Sequence, residues 1–188
     1  MESEVNDITS LLHEWQHGSD TARDQVFDRM YAELRRLARG VMRSHRDHDT
    51  LQPTALLNDA LLKLLDAVPK ELENRGHFVG IVATKMRQIL IDRARARLCD
   101  KRGGGARPVS LDDVQLATDD PVGLIALDTA LNGLAVHDPE AARIVELRVF
   151  AGLTIEDTAA ALDISPQRVS REWTYARTWL KQHMVAAD

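Results

Sequence analysis

The sequence predicts an all-α protein, two small helical domains joined by a flexible linker, and three observations carry that expectation. Apolar residues recur at helical spacing almost throughout, while alternating strand-like runs are scarce. Cap-plus-proline pairs at Asp120-Pro121, Asp138-Pro139 and Ser165-Pro166 mark helix starts. A glycine-rich basic stretch from Lys101 to Pro108 runs into an acidic one poor in apolar residues, which reads as a tether. The expected boundaries are therefore 1–100, 101–120 and 121–188.

Length and charge narrow the function classes. A chain of 188 residues has room for one or two domains, and its net charge of −5 argues against a generic polyanion binder. The charge is unevenly placed. From Lys85 to Arg107 there are eight basic residues against Asp92 and Asp100, whereas from Asp112 to Asp163 there are eleven acidic residues against Arg143 and Arg148. A basic block between acidic stretches predicts a localised surface for nucleic acid on an otherwise repelling protein. Cys99 is the single cysteine, so neither an intramolecular disulfide nor a cysteine-rich metal site is expected. The start lacks a signal-peptide pattern, and no apolar run approaches membrane-spanning length. A soluble cytoplasmic protein is expected. Clustered carboxylates, a nucleophile–base pair and metal-ligand spacing are all missing from the sequence, so neither an enzyme nor a cofactor is expected.

Residues 5–43 predict two helices. The first buries Ile8, Leu11, Leu12 and Trp15 and breaks at Gly18-Ser19-Asp20; the second buries Val26, Met30, Leu34 and Leu37 and exposes Arg35, Arg36, Arg39 and Arg43. His45 to Asp49 reads as a polar surface loop in preference to a metal site, since no third ligand lies near His45 and His48. A helix over 51–66 carries Leu57, Leu61 and Leu64 on one stripe, widened by Leu56, Leu62 and Leu65 and interrupted by Asn58, Asp59 and Lys63. Such a helix is either deeply buried or partly a docking surface. After a polar break at 69–76, a helix over 78–97 buries Phe78, Val82, Met86 and Ile89. Its other side carries Thr84, Arg87, Gln88, Ile91 and Arg95, donors suited to phosphates and exposed bases.

Beyond the tether, Leu124, Leu127, Leu131 and Leu134, then Ile144, Leu147 and Phe150, predict helices leading to a helical hairpin over 154–183. Thr154 and Asp157 form a capping signal for its first helix, which presents Ile155, Ala159 and Leu162. Ser165 caps the second, which docks through Val169, Trp173, Ala176 and Leu180 and turns Gln167, Arg168, Ser170, Arg171, Thr174 and Tyr175 outward. Asp163 stands at the turn where glycine is usual. This is the pattern of a helix-turn-helix, whose second helix enters the DNA major groove. The alternative is an ordinary αα-hairpin of a bundle.

Three segments together carry a family resemblance: Thr50-Leu-Gln-Pro-Thr-Ala-Leu-Leu-Asn-Asp-Ala; Gly76-His-Phe with Met86-Arg-Gln-Ile-Leu-Ile-Asp-Arg-Ala-Arg; and Val145-Glu-Leu-Arg with Gly152-Leu-Thr-Ile-Glu and Arg171-Glu-Trp-Thr-Tyr-Ala-Arg. Over nearly its whole length the chain resembles a bacterial RNA polymerase sigma factor of the small extracytoplasmic-function (ECF) group. The resemblance implies core RNA polymerase and promoter DNA as partners. It implies docking on the clamp helices of the largest subunit through Leu57, Asn58, Asp59, Leu62 and Lys63. Thr84, Arg87, Gln88, Ile91 and Arg95 would recognise and open the minus-ten element. The C-terminal domain would bind the flap of the second-largest subunit, and Ser165, Gln167, Arg168, Ser170, Arg171, Thr174 and Tyr175 would read the minus-thirty-five element. An anti-sigma protein is a further candidate partner; no membrane is.

The chain departs from the family pattern at Gln88, often Asn, at Ile81, often aromatic, at Asn58, where Gln is common, and at Ser170, often Lys. Two other readings remain at this stage: a stand-alone helix-turn-helix regulator, and a helical adaptor or anti-regulator protein.

Overall fold

Helix α1 (Glu2–Gln16) and helix α2 (Asp20–Arg43) form an antiparallel pair closed by a short turn, in which the Ser19 hydroxyl accepts from the Ala22 amide at 3.2 Å. The structure, a computed structural model, describes residues 2–43, 51–69, 71–100 and 121–184. Among them there is no strand, in agreement with the all-α expectation. The loop at 44–50 with its two histidines and the tether at 101–120 lie outside the described residues.

Helix α3 (Pro53–Asp66) and helix α4 (Arg75–Asp100) complete an N-terminal group around Leu12, Met30, Leu34, Leu56, Leu57, Leu64, Phe78 and Met86. Aromatic rings join three of its elements: Trp15 meets Phe27 edge-on at 5.4 Å and Phe78 at 6.1 Å. Helix α4 begins three residues before the expected Phe78. The reason is a local cap, because the Asn74 side chain accepts from the His77 amide at 2.9 Å and so fixes the first turn.

Helix α5 (Pro121–His137) and helix α6 (Pro139–Val145) follow. Asp138 caps α6 by accepting from the Ala141 amide at 3.0 Å, with Pro139 at the first helical position. Helix α6 runs directly into a π-helical turn, Glu146–Phe150, whose Leu147 and Phe150 are fully buried. Helix α7 (Ile155–Leu162) and helix α8 (Pro166–His183) then form the hairpin that the sequence predicts. Both predicted caps are made: Thr154 accepts from the Asp157 amide at 3.0 Å, and Ser165 from the Arg168 amide at 3.2 Å. The first face is only half buried, with Ala159 inside and Ile155 and Leu162 at its edge.

The two halves of the chain share one apolar cluster, continuous from Ile8 to Leu180. Helix α4 lies at its centre, packed by α3 on one side and by α5, the π turn and α7 on the other. This corrects the expectation that one face of α4 is open. Besides the predicted Phe78, Val82, Met86 and Ile89, the helix buries Val79, Ala83, Leu90, Ile91 and Ala94, so its apolar surface runs around the axis.

The turn of the hairpin rests on Asp163, which adopts left-handed backbone at φ 54°. Its conformation costs an ordinary L-residue roughly 1–2 kcal/mol, less for Asp and nothing for Gly. Urea titration should therefore find Asp163→Gly unchanged or more stable by under about 1 kcal/mol, and Asp163→Val less stable by about 1–2 kcal/mol.

Candidate nucleic-acid interface

Helix α8 is anchored on one side and open on the other. Val169, Trp173, Ala176 and Leu180 are buried against α5, α6 and α7. The Arg148 guanidinium lies 5.0 Å from the Trp173 ring centroid, closing the docked edge. On the outer face Ser165, Gln167, Arg168, Ser170, Arg171, Thr174 and Tyr175 are all exposed, as the sequence predicts. A shallow depression runs along this face, lined by Gln167, Ser170, Arg171, Thr174, Tyr175 and Thr178. Two cations of the face hold neighbouring carboxylates, Arg168 with Glu140 at 2.6 Å and Arg171 with Glu172 at 2.9 Å. Both pairs are solvent-exposed on the arginine side and weakly held, so exchange for another acceptor is inexpensive. Amide, hydroxyl and guanidinium donors on one accessible helix face are the groups that hydrogen-bond base edges in a major groove.

The α4 side chains expected to meet DNA are placed differently. Arg87 is only 7% exposed; it pairs with Asp128 of α5 at 3.0 Å and with Glu146 of the π turn at 3.1 Å, and donates to Asn132 at 3.2 Å. Thr84 donates to Glu146 at 2.8 Å. Ile91 is buried. Arg95 is exposed but reaches Asp128 at 3.5 Å, and Gln88 is exposed as well. Burial raises the Glu146 carboxyl above its ordinary value, against the opposing pull of Arg87, the Thr84 hydrogen bond and Arg143. The expectation that these five residues share an open face is therefore corrected. The partner groups lie 33 to 62 residues further along the chain, beyond the reach of any local pattern.

Helix α3 presents a third surface. Leu62 is 61% exposed, and Leu65, Val68 and Tyr31 of α2 extend an apolar patch around it. Asn58, Asp59 and Lys63 are exposed beside them; Tyr31 bonds Asn58 at 3.4 Å and Lys63 pairs with Asp92 at 3.1 Å. Leu57, expected in the docking set, is fully buried and belongs to the core, because the stripe through Leu57, Leu61 and Leu64 faces α4. The sequence left burial and docking open for this helix; one face is buried and the other is exposed.

Sequence reasoning did not anticipate the contacts that join α4 to the C-terminal half. A side chain at Gly76 would run into the Ala161 carbonyl of α7, and one at Gly80 would come within 2.8 Å of the Arg143 guanidinium. Arg143 donates to the His77 carbonyl at 2.9 Å. The His77 ring accepts from the Glu73 amide through Nδ1 at 3.2 Å, which requires the neutral ring. Burial, and then the Arg143 charge, hold the His77 pKa below its ordinary 6.5, with Glu73 and Glu71 opposing.

Two further findings concern the whole chain. A family model described as ECF sigma factor matches residues 5–186. Neither the curated proteins nor the solved structures contain a match. Among the described residues no helix is long and apolar enough to cross a membrane.

A histidine whose pKa is lowered by folding is neutral in both states above about 6.5, and its contribution is lost as pH falls through that value towards the folded pKa. Glu146 acts in the opposite sense, since acidification relieves the cost of burying its charge. Comparing urea midpoints isolates the histidine: from pH 7.5 to about 5.5 the native protein should lose more stability than His77→Gln does.

Proposed function

The chain belongs to the ECF sigma factor family, and we propose that it directs core RNA polymerase to a split promoter through two readers on one polypeptide. Membership makes it a factor for transcription initiation, a family without catalytic chemistry of its own. The finer reading assigns residues 1–100 to polymerase docking and to recognition and opening of the minus-ten element, 101–120 to a flexible linker, and 121–188 to the minus-thirty-five element.

The observation that carries this reading is the exposed face of α8. A helix capped by Ser165 and anchored by Trp173 presents Gln167, Arg168, Ser170, Arg171, Thr174 and Tyr175 together, within a chain matched to the family over 5–186. Its N-terminal turns carry the base-reading groups, as in a helix-turn-helix docked in the major groove. On α3, Leu62 with Asn58, Asp59 and Lys63 forms the docking surface for the clamp helices of the largest polymerase subunit; Leu65 and Tyr31 widen it. The second-largest subunit's flap is the partner of the C-terminal domain. Thr84, Arg87, Gln88, Ile91 and Arg95 are the minus-ten contacts, available as a set once α5 and the π turn leave α4. Two weak DNA contacts held at fixed spacing by polymerase reinforce each other through effective concentration.

Core polymerase supplemented with the protein should give run-off transcripts from a subset of a genome-wide promoter library, while the protein alone should give no operator-like gel shift. A shift without polymerase would favour a stand-alone regulator. Arg171→Ala should cost about 1–3 kcal/mol on cognate promoters if Arg171 makes a bidentate base contact, and should relax selectivity upstream. An equal loss on every promoter would mark Arg171 as a phosphate contact.

A further inference from the structure

The outer face of α8 carries two arginines near its start, and each has a carboxylate beside it. Arg171 donates through both Nε, at 3.1 Å, and Nη2, at 2.9 Å, to a single oxygen, Oε1 of Glu172. The Glu172 side chain is 20% exposed against 73% for Arg171, so the carboxylate is the seated member and the guanidinium the free one. Glu140 supplies the other pair from α6, its Oε2 accepting from Arg168 Nη2 at 2.6 Å. Its Oε1 is buried without a hydrogen-bond partner, so the carboxylate answers outward only through Oε2.

Both ends of the second pair stand on fixed backbone. Asp138 caps the turn that carries Glu140, and Ser165 takes the Arg168 amide itself. Helices α6 and α8 pack against each other, which holds the two turns at one spacing. Pairs this exposed contribute little to stability. Their effect is on direction and on competing acceptors. A guanidinium offers five N–H groups in a planar fork. With the Nε–Nη2 edge of Arg171 on Glu172, the end of the fork stays free, with one N–H from each Nη pointing along the side chain. Such a pair of donors matches O6 and N7 of guanine. A phosphate arriving at the same arginine would meet the carboxylate's repulsion, whereas a base edge brings no second anion.

We propose that Glu140 and Glu172 are positioning residues for promoter reading: each carboxylate holds one side of an arginine and leaves its end for a guanine edge in the major groove. The inference rests on the sigma-factor reading and deepens it, since it says how Arg168 and Arg171 tell bases from phosphates. Selectivity rises while affinity falls, because two anions stand on a surface that faces a polyanion.

Holoenzyme assembled from core polymerase and the full chain, run on a promoter library randomised upstream, gives a base preference at every position. The position that loses its preference in Arg171→Ala is the one Arg171 reads. There, Glu172→Ala is expected to lower the guanine preference about two- to fivefold. The same variant should steepen the fall of log affinity with log salt by about 0.9, as the released arginine takes a phosphate. Glu172→Gln keeps an acceptor oxygen in place without the charge and should retain part of the preference. Glu140→Ala should act in the same way at the position read by Arg168. An unchanged preference and slope would overturn the proposal, as would an equal loss for all four bases, the mark of a merely structural pair. In the free chain, NMR of the Arg171 Nε–H reads the tether itself, and Glu172→Ala should speed its exchange with water several-fold. Native holoenzyme without promoter-specific transcripts would remove the sigma-factor reading, while a protected Nε–H would leave the tether standing. Promoter-specific transcripts with no protection at Arg171 would do the reverse.

Discussion

The buried Arg87 guanidinium, held between Asp128 and Glu146, is the constraint from which most of the architecture follows. A charge this far from water is tolerable only when paired, and removing one partner from such a site typically costs about 3–5 kcal/mol. To supply both partners, α5 and the π turn must lie across α4. That requirement brings the C-terminal half onto the N-terminal half and merges their apolar residues into one cluster. Phe150 packs under the arrangement, its ring centroid 6.0 Å from the Arg87 guanidinium carbon. The two halves therefore meet through a charged centre with an apolar surround.

The consequences differ for the three surfaces of α3, α4 and α8. The α8 face lies outside the seam, because Trp173 and Leu180 anchor it within the C-terminal half. The α3 face is likewise outside it, with Leu62 turned away from α4. Only the α4 face is consumed by the contact. The contact thus leaves the exposed faces of α3 and α8 open while it covers Thr84 and Arg87 of α4.

Local chemistry made much of this legible in the sequence. Ser165-Pro166, Asp138-Pro139 and Thr154 with Asp157 gave the helix starts because caps act over three residues. The outward face of α8 followed from the 3.6-residue period, since Val169, Trp173, Ala176 and Leu180 leave only one side to bury. The α4 prediction failed where a local period cannot decide. Thr84 and Arg87 look solvated by composition, and the groups that cover them come from distant segments of equally polar character. A signal was present in Val79, Ala83, Leu90, Ile91 and Ala94, which leave little of α4 polar all along one side. Leu57 was misplaced for a related reason, because a leucine-rich helix does not declare which of its stripes is the inner one. The π turn had no sequence signature at all: Glu146–Phe150 has ordinary helix-forming residues, and its widening answers to packing on both sides.

That turn has a mechanical side. Its Ala151 amide bonds the Glu146 carbonyl at 3.1 Å, five residues back, where an α-helix would reach four. The segment holds one residue of slack, and residues on either side of it serve different masters: Glu146 faces α4, whereas Arg148 lies over Trp173 beneath α8. Re-forming the turn as α-helix would rotate the one relative to the other by roughly 100°, the angle of a single helical residue. The covering of α4 and the placement of α8 are thus geared through five residues of backbone. A change in either would be transmitted to the other as a change of phase.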